Sequence, residues 1–150
     1  MNSQTGLDYI IENKEFTQKL ATALDTTNTV VKKQVIELLS ALCVYSSEGY
    51  DRALSALQHF KEQKRLSNRF KFIITELEDS DDGAYKTALL AFCNCIIIST
   101  EKVEDRVRIR NELVGQKLLD IIEELRIHLP MLHISFKGRL TFVHEMSCMT

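Results

Sequence analysis

His59, His128, His133 and His144 are the side chains best able to move protons or hold a transition metal. None of them stands in the His-Glu-x-x-His spacing that puts two imidazoles on one helix face. No serine elbow accompanies them, and the five glycines are too scattered to form a phosphate-cradling loop. Cys93-Asn94-Cys95 would set two thiols about 200° apart around a helix, too divergent to chelate one ion. The four cysteines therefore read as buried, reduced thiols of an intracellular protein. Glu78, Asp79, Asp81 and Asp82 crowd carboxylates into one loop. They lack the alternating ligand order and closing glutamate of a calcium hand, so that loop reads as a solvated turn. Lys61, Lys64, Arg65, Arg69 and Lys71 form a local basic cluster, read as a solvated face, with docking of an acidic partner as the alternative. No acid, base and nucleophile converge. The expectation is a non-enzymatic chain with no catalytic residue, no metal and no cofactor.

The elements that would position these groups are helical. Apolar residues make up 45% of the 150 positions and charged residues 27%, enough for a core and a solvated surface. One proline (Pro130) and five glycines argue against a turn-rich β architecture. The formal charge of −2 leaves no electrostatic footprint for general nucleic-acid or membrane binding. The apolar run from Ala88 to Ile98 is interrupted by Asn94 and is far short of the roughly 18–20 residues that cross a bilayer. Residues 1–6 lack the basic and apolar stretches of a signal peptide, which points to a soluble cytoplasmic protein with no membrane span.

Apolar residues recur at steps of three and four from Leu7 through Leu24. Asp25-Thr26-Thr27-Asn28 breaks that pattern and offers N-cap side chains to the next segment. From Thr29 to Tyr45 the apolar arc widens, as in a helix buried between neighbours. Ser46-Ser47-Glu48-Gly49 is a second break, followed by a charged helix striped by Tyr50, Leu54, Leu57 and Phe60. Phe70, Ile73, Ile74 and Leu77 stripe a shorter one, Ala84 to Ser99 is the second mostly apolar helix, and charged (Val103–Val114) and apolar (Leu118–Leu125) segments follow. Cys95 to Ile98 favours strand on propensity alone, but it continues a helical pattern begun at Tyr85. The chain reads as all-α.

Self-similarity sharpens that reading. Phe16 and Phe70, Leu20 and Ile74, Asp25 and Asp79, Lys32 and Lys86, and Asp51-Arg52 and Asp105-Arg106 are all separated by the same 54 positions. A short helix, a loop, a buried helix and a charged helix thus recur in order. Units of this kind cannot bury their apolar faces alone and do so by stacking. The buried helices of successive units then line one wall, suited to an extended peptide or an amphipathic helix. The candidates are Ser40, Ala41 and Val44 from the first buried helix and Ala91, Asn94 and Cys95 from the second. The 54-residue offset pairs Ser40 with Asn94 and Ala41 with Cys95. Small side chains there allow close approach, and Asn94 offers a hydrogen bond to a partner backbone. The alternative is that Ala41 and Cys95 are packed core.

Met1-Asn2-Ser3-Gln4-Thr5-Gly6 before an apolar helix, and Glu37-Leu38-Leu39-Ser40-Ala41-Leu42-Cys43 after it, resemble motifs of the formin regulatory region. Arg69-Phe70 is similar to that family's Arg-Phe opening of a later helix. Asn94 with Arg106-Val107-Arg108-Ile109-Arg110-Asn111-Glu112 is similar to its Asn and Arg-Val-x-x-Arg-x-Glu pattern. The resemblance covers residues 1–126, and Asp25-Thr26 with Val31-Lys32-Lys33-Gln34-Val35 is most like the inverted type of formin. It implies part of an armadillo-like helical-repeat solenoid, the formin homology three or diaphanous inhibitory domain. Such a domain seats an amphipathic helix of the formin's own C-terminal tail and so restrains actin filament assembly. Rho-family GTPases relieve the restraint in diaphanous-type members. Carried over by position, Ala41 and Val44 contact the tail helix and Asn94 is a polar groove residue, whereas Ala91 stands where the family often has glutamine. The resemblance also implies a cytoskeleton-associated protein, linked to actin only through a full-length formin. The chain is expected to begin inside the family's domain, without the GTPase-binding segment or first repeat, and to carry a divergent tail at 127–150. Apolar faces around Leu7, Ile10 and Ile11 are expected to be left uncovered by that start. A helical-repeat adaptor holding unrelated proteins is the rival reading.

Overall fold

The computed structural model describes residues 3–128, and everything described is helix or short connection. The elements are α1 (Ser3–Glu12), α2 (Glu15–Leu24), α3 (Thr29–Tyr45), α4 (Ser47–Lys64), α5 (Lys71–Asp79), α6 (Gly83–Ser99), α7 (Val103–Gly115) and α8 (Leu118–His128). No strand occurs among the described residues, and Cys95 to Ile98 lies inside α6. No described helix is long and apolar enough to cross a membrane. All-α architecture follows, in two successive units: α2–α3–α4 and α5–α6–α7.

The local chemistry of the two buried helices is repeated atom for atom. Asn28 Oδ1 accepts from the backbone N–H of Val30 (3.0 Å) and Val31 (3.2 Å), which starts α3. Asp82 Oδ1 accepts from Ala84 (2.9 Å) and Tyr85 (3.1 Å), which starts α6. These caps pair donors that a helix leaves unmatched in its first turn. Two residues earlier, Thr26 Oγ1 and Ser80 Oγ each accept from the capping residue's own N–H, both at 3.2 Å. Burial repeats too: Val35, Ile36, Leu39, Leu42 and Cys43 in α3 correspond to Leu89, Leu90, Cys93, Ile96 and Ile97 in α6. The offset is 54 for every pair, and both helices are 17 residues long.

The flanking helices do not keep that offset. Thr17, Leu20, Ala21 and Leu24 of α2 are buried where Phe70, the residue before α5, and Ile73, Ile74 and Leu77 within it are, an offset of 53. Ala53 and Leu57 of α4 correspond in burial to Ile109 and Leu113 of α7, an offset of 56. One residue, Ser46, separates α3 from α4, whereas three (100–102) separate α6 from α7. Asp51-Arg52 and Asp105-Arg106 are thus alike in sequence but two residues out of step in the fold. Their arginines do different work. Arg52 Nε donates to the Ile11 carbonyl (3.0 Å) and holds α4 to the end of α1. Arg106 donates from Nε and Nη2 to the Thr100 carbonyl (3.2 and 2.8 Å) beyond the end of α6.

The core runs between the helices rather than under one of them. Tyr85, Phe70, Phe92, Ile36, Leu39, Leu42, Leu57, Ile73 and Leu89 are among its fully enclosed side chains. Each such side chain contributes about 1.5–3 kcal/mol relative to exposure. Helix α3 packs most extensively against α6 and also against α4. The α3–α4 contact is close because a Cβ on Gly49 would overlap the Leu42 carbonyl oxygen. Polar bridges tie one unit to the next. Lys32 Nζ donates to Glu76 (2.7 Å), joining α3 to α5. Arg69 grips Glu112 of α7 through Nε and Nη2 (3.1 and 3.0 Å), its guanidinium 5.0 Å from the Phe70 ring centre. Tyr50 Oη and Thr100 Oγ1 share a hydrogen bond of 2.8 Å between α4 and the end of α6.

One expectation is corrected at the N-terminal end. Leu7, Ile10 and Ile11 are partly buried against the core, because α1 turns back onto α2 and α4. The exposed apolar side chain of α1 is Tyr9, which stacks edge-on with Phe16 at 5.4 Å. The segment 127–150, read as a divergent tail, lies outside the described residues except that the backbone of α8 continues to His128.

Candidate peptide-binding groove

Because α3 and α6 start from equivalent caps and keep one register, their surface positions also align. Lys33, Glu37 and Ser40 on α3 face a shallow groove of about 440 Å³. Ala84, Thr87, Ala88 and Ala91 of α6 form its other wall. Positions spaced three and four apart share a helix face, which is why each wall is a straight stripe. The hydroxyls on both walls are turned inward. Ser40 Oγ donates to the Ile36 carbonyl (2.9 Å) and Thr87 Oγ1 to the Gly83 carbonyl (2.8 Å). Their hydrogens are thus committed to their own helices, and the alanines beside them present only methyl groups. Charge enters the groove from α3 alone, where Lys33 Nζ lies 3.7 Å from Glu37 Oε1.

Exposed apolar side chains continue the two stripes. Val44 is 63% exposed and Ile98 is 59% exposed, at equivalent positions in the last turns of α3 and α6. Val30 is 62% exposed at the other end of α3, equivalent to Ala84. Repeated in register, these side chains are candidates for an association surface of the kind a contiguous exposed apolar patch marks.

The residues singled out from the sequence do not all meet here. Ser40 and Ala91 line the groove. Ala41 and Cys95 are half-buried and are not among its lining residues. Val44 stands exposed further along α3. Asn94 is only 7% exposed and is not among the groove's lining residues. Sequence reasoning missed Lys33, Glu37, Ala84, Thr87 and Ala88. Stepping back one and two helical turns from Ser40 and Ala91 would have reached them.

Elsewhere among the described residues, burial holds several titratable side chains in their protonated, neutral form. Burial, with a smaller contribution from Cys95, pushes the Cys43 thiol up to about 12, and burial does the same to Cys93. Neither thiol ionises near neutrality, and the thiolate is the reactive form. Burial, reinforced by the nearby Glu76 carboxylate, also raises the Tyr85 phenol. No group of three His, Cys, Asp or Glu side chains among the described residues could hold a metal ion. Within the basic cluster, Lys64 bonds Asp25 at 2.6 Å and Arg69 is held by Glu112.

Comparison with known proteins agrees with the helical-repeat architecture. The family model described as the FHOD1/3 FH3 domain matches residues 1–121. Inverted formin-2 of Xenopus laevis is 48% identical over 126 residues, covering 84% of this chain and 12% of the relative. Formin-F of Dictyostelium discoideum is 30% identical over 125 residues, 81% of this chain and 10% of the relative. Disheveled-associated activator of morphogenesis 1 of Homo sapiens is 27% identical over 136 residues, 85% of this chain and 12% of the relative. The chain thus spans about an eighth of the length of the Xenopus relative and a tenth of that of Formin-F. A model match over residues 1–121, on an armadillo-like helical fold, places the family beyond doubt: the chain belongs to the formin FH3 domains.

Proposed function

We propose that this chain is a non-catalytic regulatory module of a formin, whose α3–α6 groove seats an amphipathic helix from the formin's C-terminal tail. The observation that carries this reading is the shared register of α3 and α6. It lays the Lys33, Glu37 and Ser40 stripe of α3 beside the alanine-rich stripe of α6 and leaves Val44 and Ile98 in water at matching positions. An amphipathic helix brought into such a groove buries its apolar face and covers these side chains, the usual helix-in-groove mode of recognition. The alanines of α6 let its backbone approach closely. Ala41 follows Ser40 on α3 and takes the seated helix at that edge, and the Asn94 amide of α6 offers it a hydrogen bond. Seating the tail would restrain the actin-assembling part of the formin, and a Rho-family GTPase that competes for the module would release it. Such a module works in the cytoplasm, associated with the actin cytoskeleton.

The test is calorimetric titration of the full chain with a synthetic peptide of the C-terminal helical segment of Xenopus laevis inverted formin-2. Saturable one-to-one binding that is lost in Ala91→Glu supports the reading. A folded wild-type chain that binds no tail peptide overturns it, and recovery of an unrelated protein in its place would favour an adaptor.

A further inference from the structure

The groove is unequal from side to side, and its inequality selects among amphipathic helices. On the α6 wall Ala84, Thr87 and Ala88 carry no charge, and the Thr87 hydroxyl donates to its own helix. On the α3 wall the Ser40 hydroxyl does likewise, so Lys33 and Glu37 are the ionic groups among the lining residues. Being four residues apart, they stand one above the other, about 6 Å apart along the axis of α3. Their mutual contact of 3.7 Å is long for an ion pair. Little is lost when each turns toward a new partner. The neighbouring Lys32 is held by Glu76 at 2.7 Å and does not compete.

We infer that Lys33 and Glu37 read the order of charges on the polar flank of the seated helix, taking an acidic side chain opposite Lys33 and a basic one opposite Glu37, one turn apart. The inference rests on the docking reading above. A helix lying along α3 excludes part of the water around both groups, which strengthens matched charges and penalises opposed ones. The order also sets direction. A helix whose acidic residue precedes its basic one runs parallel to α3, and one with the reverse order runs antiparallel.

The experiment is a set of double-mutant cycles by calorimetry on the full chain with the Xenopus tail peptide. Wild type, Lys33→Glu and Glu37→Lys are titrated with the peptide and with variants in which each acidic residue is changed singly to Lys and each basic residue singly to Glu. Both protein substitutions lie on an exposed helix face, and circular dichroism checks that they fold. Lys33→Glu should weaken the unmodified peptide about three- to fivefold, as expected for partly exposed charge pairs. One acid-to-Lys peptide should restore it. Glu37→Lys should be restored by one base-to-Glu peptide, with the two rescuing positions three or four residues apart. If wild type binds but no peptide change rescues either variant, the charge-order inference fails and the docking reading stands. If wild type binds no peptide, both fall together.

Discussion

Asn28 and Asp82 do the same work 54 residues apart: each side-chain oxygen accepts from two backbone N–H groups and starts one of the two helices that wall the groove. Replacing either by Ala should cost about 1 kcal/mol, the usual value of a lost N-cap. The two losses should add within about 0.5 kcal/mol, since the caps share no partner. Urea denaturation of the single and double variants measures this. A cost near zero for one cap alone would show that the two starts are not equivalent in energy.

Gly49 is where α4 approaches α3 too closely for any side chain. A Cβ there meets the Leu42 carbonyl, and that backbone atom cannot step aside. Gly49→Ala should therefore destabilise by about 1–3 kcal/mol through overpacking. Gly6→Ala, on α1 with open space around the new methyl, should instead stabilise by up to about 1 kcal/mol. Denaturation midpoints moving in opposite directions for the two variants are the expected result.

Ala91 lies in the α6 wall of the groove, and Ala41, half-buried beside Ser40, is not among its lining residues, so the two positions separate the site from its edge. Ala91→Glu should weaken tail-peptide binding at least about tenfold, because a carboxylate is placed where an apolar face must seat. Ala41→Asp should also weaken it by several kcal/mol if the seated helix reaches that edge, since a carboxylate would then be buried without a partner. Unchanged affinity in a folded Ala41→Asp variant would remove Ala41 from the site. Unchanged affinity in Ala91→Glu would move the site elsewhere.

Cys43 and Cys93 give the fold an alkaline limit. Burial raises both thiols from 9.0 to about 12. Below pH 9 both states hold the proton and nothing is lost. As pH rises from 9 toward 12 the unfolded chain releases protons that the folded chain keeps, so stability falls with pH. Each thiol adds at most about 1.4 kcal/mol per pH unit to that decline. Denaturation at a series of alkaline pH values should show the decline, shallower in a Cys43→Ala/Cys93→Ala double variant. A thiol reagent added to native protein at neutral pH should label neither residue until the chain unfolds.

The helices were legible in the sequence because their causes are local. Apolar spacing of three and four, the polar breaks at residues 25–28 and 46–49, and the capping types of Asn28 and Asp82 act within a few residues of chain. The 54-residue offset was legible for the same reason in α3 and α6, whose caps and buried faces recur in step. It misled for α4 and α7. There Asp51-Arg52 and Asp105-Arg106 repeat as letters, while the two extra residues before α7 shift which side faces the core.

The groove was half legible. Ser40 and Ala91 lie in it, but Asn94, chosen for its polarity, is buried and not among its lining residues, and Lys33 and Glu37, chosen by nothing in their own residue types, form its wall. Local patterning along the chain dictates that helices form, where they start and that two of them are apolar on most sides. Which narrow face of each stays uncovered is settled by packing, because it depends on how neighbouring helices crowd the others. A side chain's periodicity records that it can be buried, not which neighbour arrives to bury it.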